Sequence, residues 1–196
     1  MFANRYTALV DACSLADALR RNLLLTLAEA EFFRVRWSNE ILDETERAIA
    51  GIAAAKGLDD ALPRAARARA AMERAFEEAL VTEYDQLIVA AEGLPDPGDR
   101  HVLAAAIKTQ AQTIVTENLR DFPVSALDPY GIEVRSADDF IADTIALDIG
   151  RAVPAVRAMR ERLKLPTIEA ERLLKDMEAR GLVASAGVLA PYVGSL

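Results

Sequence analysis

The sequence of 196 residues is poor in the side chains that cross-link proteins or bind zinc. It has one cysteine, Cys13, and one histidine, His101. A single cysteine excludes an internal disulfide framework, and a single histidine excludes any site built from several imidazoles, including those of zinc proteases. A metal ion held by this chain would therefore need mainly carboxylate ligands, which favours Mg²⁺ or Mn²⁺.

Long apolar runs are also missing. No segment approaches the roughly 20 apolar residues of a membrane-spanning helix, and residues 1–6 contain no basic region followed by an apolar stretch. We therefore expect a cytoplasmic protein without membrane association.

Positive charge is scarce as well. The chain has 23 Lys and Arg against 31 Asp and Glu, which gives a net charge of −8 and a pI of about 4.8. This balance excludes binding to nucleic acid or anionic membranes through a broad basic field. The 38 alanines raise the apolar content to 52% and favour helices.

Short apolar strands alternate with helices through most of the chain. The expected strands are residues 6–10, 33–37, 112–116 and 132–134. The expected helices are residues 14–30, 40–57, 63–92 with a break near 81–82, 102–108, and one that begins at Ser136 or Asp138 and runs through 146. Because each pair of parallel strands needs a crossover, this alternation predicts a parallel sheet covered by helices on both faces.

Beyond residue 147 the strand patterns stop. Residues 149–163 have helical spacing, and a further helix is expected to begin at Pro166 and Thr167 and to end at Gly181. We therefore predict two parts, an α/β domain of residues 1–146 and a helical extension of residues 147–196.

Acidic and other oxygen-bearing side chains gather where the predicted strands end, the edge at which parallel sheets bind ligands. They are Asp11, Glu40, Asp96, Asp99, Thr116, Asn118 and Asp121. Carboxylates crowded at one edge repel each other, so we expect a divalent cation to neutralise them. Hydrolysis of a phosphodiester by a metal-activated water is the chemistry that suits such a site.

Several of these residues also have structural explanations. Asp11 and Asp99 occupy positions that cap helix N-termini. Glu40 lies in the first turn of its helix, where it complements the helix dipole, and Asp96 between two prolines suits a turn. His101 points away from Asp99 on a helix, so a structural role suits it better than a general base.

Four segments carry a more specific pattern. They are residues 9–11 (LVD), 39–44 (NEILDE), 95–106 (PDPGDRHVLAAA) and 114–123 (IVTENLRDFP). In order and spacing they resemble the PIN-domain family, in the branch of VapC-type toxins of bacterial toxin–antitoxin systems. The resemblance covers roughly residues 5–140, and the tail is similar to the helical extension of some members.

The resemblance implies a PIN-like three-layer α/β/α sandwich with a short central parallel sheet and a helical C-terminal extension. It also implies a Mg²⁺- or Mn²⁺-dependent endoribonuclease that cleaves RNA, is silenced by a cognate antitoxin and forms a homodimer. By position, Asp11, Glu40 and Asp99 match the metal-binding acids of the family.

The fourth position of the site is left open. The family commonly has an Asp where this sequence has Asn118, so either this amide supplies a neutral oxygen or Asp121 substitutes for the acid. Thr116 either closes its strand or offers its hydroxyl to a metal-bound water or a phosphate.

Other functions fit the residues less well. Phosphatases of the haloacid dehalogenase type need a second Asp two residues after the first, and that position is Cys13. A receiver domain lacks support because no acidic pair precedes the first helix. The alternative that remains is a catalytically weakened PIN-like module that binds RNA or a protein partner, which Asn118 favours and the retained acids oppose.

Overall fold

The computed structural model describes residues 6–163 and 168–196, which form a parallel sheet with helices packed around it and a helical C-terminal part. The sheet order is β2-β1-β3-β4, and every pair is parallel. This arrangement confirms the predicted α/β class with a short central parallel sheet and a helical extension. The strands are β1 (Thr7–Val10), β2 (Arg34–Arg36), β3 (Thr113–Val115) and β4 (Glu133–Arg135).

Ten helices are assigned in the described ranges. They are α1 (Ala12–Ala16), α2 (Ala18–Glu29), α3 (Asn39–Ala55), α4 (Ala61–Ala75), α5 (Arg100–Lys108), α6 (Val124–Leu127), α7 (Ala137–Leu147), α8 (Ile149–Arg162), α9 (Ala170–Glu178) and α10 (Val183–Leu189). Among these described helices, none has the length and apolar character needed to cross a membrane.

The two central strands position the candidate site. All residues of β1 and β3 are buried, whereas the outer strands are partly exposed. Val10 pairs with Val115, and the N–H of Asp11 donates to the Val115 carbonyl at 2.9 Å. The residues that follow these strands, Asp11 and Thr116, therefore come side by side at the carboxyl edge of the sheet.

The first predicted helix is two helices. Asp17 has extended backbone angles and ends α1, and its side chain caps α2 by accepting from the N–H groups of Leu19 and Arg20, both at 3.0 Å. The apolar spacing continues across the break, since Leu15 and Leu19 are both buried. The spacing of apolar residues alone therefore could not predict the break at Asp17.

The prediction of helix through residue 92 is wrong. The chain leaves α4 at Phe76 and continues in short 3-10 turns. The N–H of Trp37 donates to the Ala79 carbonyl at 3.1 Å, and the Val81 N–H donates to the Trp37 carbonyl at 2.8 Å. The Trp37 ring also meets the Phe76 ring edge-on, with centroids 5.9 Å apart. These tertiary contacts override the helix propensity of the segment.

The C-terminal helices pack onto the α/β part, α8 against α2 and α10 against α7. The expected start of a helix at Pro166 and Thr167 lies outside the described residues; α9 is described from Ala170. Gly181, with a φ of +79°, follows α9 as predicted, and α10 is an additional helix. The division after residue 146 stays a prediction.

Candidate active site

Asp11 and Thr116 form the centre of the site. The Asp11 carboxylate is 4% exposed, and its Oδ1 accepts the N–H of Ala12 at 2.6 Å, so the residue also caps α1. Its Oδ2 accepts the hydroxyl of Thr116 at 2.7 Å. Both oxygens are thus held in fixed directions by neighbouring elements.

Cys13 joins this pair from the first turn of α1. Its Sγ lies 3.1 Å from Asp11 Oδ2 and 3.2 Å from Thr116 Oγ1, and it accepts the N–H of Glu117 at 3.1 Å. Burial and the adjacent Asp11 charge raise the pKa of the thiol to about 11. At neutral pH the group is a protonated structural element and not a nucleophile.

Asp99 precedes α5, as expected, but its carboxylate does not cap that helix. The neighbouring Asp96 holds the turn instead, because its Oδ1 accepts the N–H of Gly98 at 2.7 Å. Asp99 Oδ2 is buried and has no hydrogen-bond partner among the described residues. A buried carboxylate oxygen without a partner is costly and points to a ligand.

Other acids surround Asp99. Burial raises its pKa to about 6, with further contributions from the negative charges of Asp11, Asp96, Asp121 and Glu44. Four chain segments thus deliver carboxylates to one region, as the sequence predicts for Asp11, Asp99 and Asp121.

Glu40 and Glu44 occupy different positions on α3. The carboxylate of Glu40 is exposed and accepts the hydroxyl of Tyr84, a bond that lowers the pKa of Glu40. Glu44 is half-buried, lies 3.3 Å from His101 Nε2 and contributes to the Asp99 pKa. Sequence analysis missed Glu44, although it follows Glu40 by one helical turn and so lies on the same face.

Asn118 and Asp121 also differ. The side chain of Asn118 is exposed, and its backbone N–H donates to Thr116 Oγ1 at 3.1 Å. Asp121 is half-buried and acts electrostatically on Asp99. Of the two residues left open by the sequence, Asp121 is the one whose charge acts on Asp99.

The donors at this edge suit Mg²⁺ or Mn²⁺ in type, since they are hard carboxylate oxygens and one of them is buried and unpartnered. Across residues 6–163 and 168–196, however, no three His, Cys, Asp or Glu side chains form a compact group that holds an ion as it stands. The acids lie near one another but do not form a complete set of metal ligands.

Comparison with known proteins agrees with the resemblance found in the sequence. The family model described as PIN domain matches residues 7–120, and the one described as VapC50 C-terminal domain matches residues 137–191. The protein named "Putative ribonuclease VapC50" of Mycobacterium tuberculosis (strain ATCC 25618 / H37Rv) is 53% identical over 49 residues, which cover 25% of this chain and 29% of that protein. No solved structure matches the chain.

Proposed function

The chain belongs to the PIN-domain family and is a VapC-type member, and on this premise we propose that it is a toxin that hydrolyses RNA with the help of Mg²⁺ or Mn²⁺. The observation that carries the proposal is the Asp99 carboxylate. Its buried oxygen has no partner among the described residues, so the negative charge of the ionised group is uncompensated. The raised pKa reflects the cost of that charge. A divalent cation would relieve that cost.

We assign the metal-holding role to Asp99 and to acids whose charges act on it. Asp11 and Asp99 would bind the cation, with Glu44 and Asp121 completing its surroundings. Glu40 is the weaker candidate on α3 because Tyr84 already engages its carboxylate. When bound, such a cation lowers the pKa of water and offsets the charge that develops on the phosphate.

The remaining side chains hold the acids in place. The Thr116 hydroxyl and the Cys13 thiol orient Asp11 Oδ2, and the Ala12 N–H fixes Oδ1. His101 holds Glu44 at 3.3 Å. Water would be the attacking group, and the raised pKa of Cys13 disfavours its thiol as a nucleophile at neutral pH.

Partners follow from the same family premise. We propose that a cognate antitoxin protein silences the enzyme in the cytoplasm and that the chain forms a homodimer. We expect expression of the chain to arrest growth and coexpression with the product of a short reading frame beside the gene to relieve that arrest. Light scattering should give twice the 21.3 kDa chain mass. Growth arrest that persists, or a monomer mass, contradicts the respective proposal.

Incubation of the purified protein with labelled RNA tests the activity. We expect cleavage with Mn²⁺ or Mg²⁺ and none with EDTA. Cleavage that is equal in EDTA contradicts metal dependence. RNA that is bound but stays intact under all conditions instead supports the binding module that Asn118 favours.

A further inference from the structure

The turn between α9 and α10 lies against the start of α2, close to the site. Arg180 in this turn donates through Nη1 to Asp17 Oδ2 at 2.5 Å. Asp17 is the residue that caps α2. The C-terminal helices therefore contact the α/β part through a residue that ends α1, the helix that carries Cys13.

Arg20 connects the same turn to the site. Its Nη2 donates to the Arg180 carbonyl at 3.4 Å and lies 3.6 Å from Glu117 Oε2, while Nη1 donates to the Cys13 carbonyl at 3.4 Å. The side chain is 15% exposed, and its buried Nε has no hydrogen-bond partner among the described residues. One guanidinium thus joins the C-terminal helices to the segments after β1 and β3.

Cys13 and Glu117, which Arg20 contacts, are each linked to Asp11 or Thr116 at the centre of the site. Cys13 contacts Asp11 and Thr116 through its Sγ, and Glu117 directly follows Thr116 and donates its N–H to that sulfur. A shift of Arg20 would therefore move the groups that orient Asp11.

A second connection runs from Glu117 to the same helices. Glu117 Oε1 accepts the N–H of Ala137 at 3.1 Å, at the start of α7. The adjacent Asp138 accepts the N–H groups of Ala184 and Ser185 in α10, both at 2.8 Å. The C-terminal helices are therefore tied to the site through two sets of contacts, which meet at Glu117.

We propose that Arg20 is a positioning residue through which the C-terminal helices hold the Asp11, Cys13 and Thr116 cluster in place. The consequence for catalysis rests on the proposed ribonuclease function, whereas the consequence for the cluster's geometry does not. The C-terminal helices are then part of the nuclease site and not a separate appended module.

The reactivity of Cys13, the single cysteine, reports on the cluster without any need for metal or RNA. Alkylation by a neutral maleimide at pH 8 is measured for the full-length wild type and for Arg20→Gln, Arg20→Lys and Arg180→Ala. Arg172→Ala serves as the control, since Arg172 is an exposed residue of α9 that pairs with Asp176 one turn away. Thermal unfolding monitored by circular dichroism identifies any variant that fails to fold.

We expect Arg20→Gln to speed alkylation about tenfold because the segment opens locally more often. Arg20→Lys and Arg180→Ala should give smaller increases, and Arg172→Ala none. Loss of a positive charge alone would disfavour the thiolate and slow the reaction, so faster reaction reports exposure. Alkylation at the wild-type rate in folded Arg20→Gln and Arg180→Ala overturns the proposal.

RNA cleavage kinetics give the second readout. For Arg20→Gln we expect kcat to fall about tenfold or more, as when an outer residue that orients metal ligands is removed, with KM for RNA unchanged. A raised KM with unchanged kcat would show that Arg20 binds RNA and would overturn the positioning role. If the wild type itself cleaves no RNA, the proposed function fails while the alkylation result still decides the role of Arg20.

Discussion

The hydroxyl of Thr116, at the end of β3, donates a 2.7 Å hydrogen bond to Oδ2 of Asp11, at the end of β1. Both side chains are buried, so this contact joins the two central strands exactly where the candidate site lies. Replacement of Thr116 by valine keeps the shape and removes the donor. We expect a loss of about 1–3 kcal/mol in the free energy of unfolding, because a buried carboxylate loses a partner.

Urea unfolding followed by the fluorescence of Trp37 measures that loss. Thr144→Val is the matched control, since Thr144 is buried and donates to the Phe140 carbonyl within α7. The control should cost about 1 kcal/mol or less and leave RNA cleavage unchanged, whereas Thr116→Val should also reduce cleavage. Equal losses in the two variants would contradict the special role of the Thr116 bond.

We expect Asp99 to destabilise the protein when no cation is bound. Its pKa is about 6 in the folded chain against an ordinary value of 3.8. The free energy of unfolding is therefore highest below pH 3.8, where Asp99 is protonated in both the folded and the unfolded chain. It falls as the pH rises to about 6. Asp99→Asn should remove this loss and raise the free energy of unfolding at pH 7 in EDTA, by about 1 kcal/mol because water screens the half-buried group.

Urea unfolding at pH 4 and pH 7 in EDTA tests this expectation. The increase in the free energy of unfolding caused by Asp99→Asn should be present at pH 7 and nearly absent at pH 4. The control Asp59→Asn, at an exposed residue, should show no increase at either pH. Wild-type stabilisation by Mn²⁺ should disappear in Asp99→Asn. An Asn variant that is less stable than the wild type at pH 7 in EDTA would contradict the account.

Glu40 and Glu44 make a matched pair on one helix. Glu44 acts on Asp99, whereas Glu40 is engaged by Tyr84. We expect Glu44→Gln to reduce Mn²⁺-dependent RNA cleavage about tenfold or more and to raise the Mn²⁺ concentration needed for half-maximal rate. Glu40→Gln should have a much smaller effect on both quantities. The reverse order would restore Glu40 as the acid of α3.

Much of the fold could be predicted because the central strands β1 and β3 are short, largely apolar and followed by polar residues. Asp11 and Thr116 end buried strands that pair directly, so pattern and parallel topology bring them together. The break at Asp17 could not be predicted, since leucines continue with the same spacing on both sides. The helix predicted after α4 does not form, because Phe76, Ala79 and Val81 contact Trp37, which is distant in the sequence.

The acids of the site were predicted less completely. Position in the sequence favours Glu40, but only the fold shows that Tyr84 engages it and that His101 holds Glu44 beside Asp99. The link from Arg180 to Arg20 joins residues 160 positions apart. No local pattern encodes such a contact.

Asp11 is the acid that we place at the centre of the proposed metal-dependent ribonuclease site. The most direct measurement is the rate of Mn²⁺-dependent RNA cleavage by Asp11→Asn beside the wild type and Asp59→Asn, with circular dichroism to show that each is folded. We expect cleavage by the wild type and Asp59→Asn and none by folded Asp11→Asn. Undiminished cleavage by Asp11→Asn would contradict this placement of Asp11.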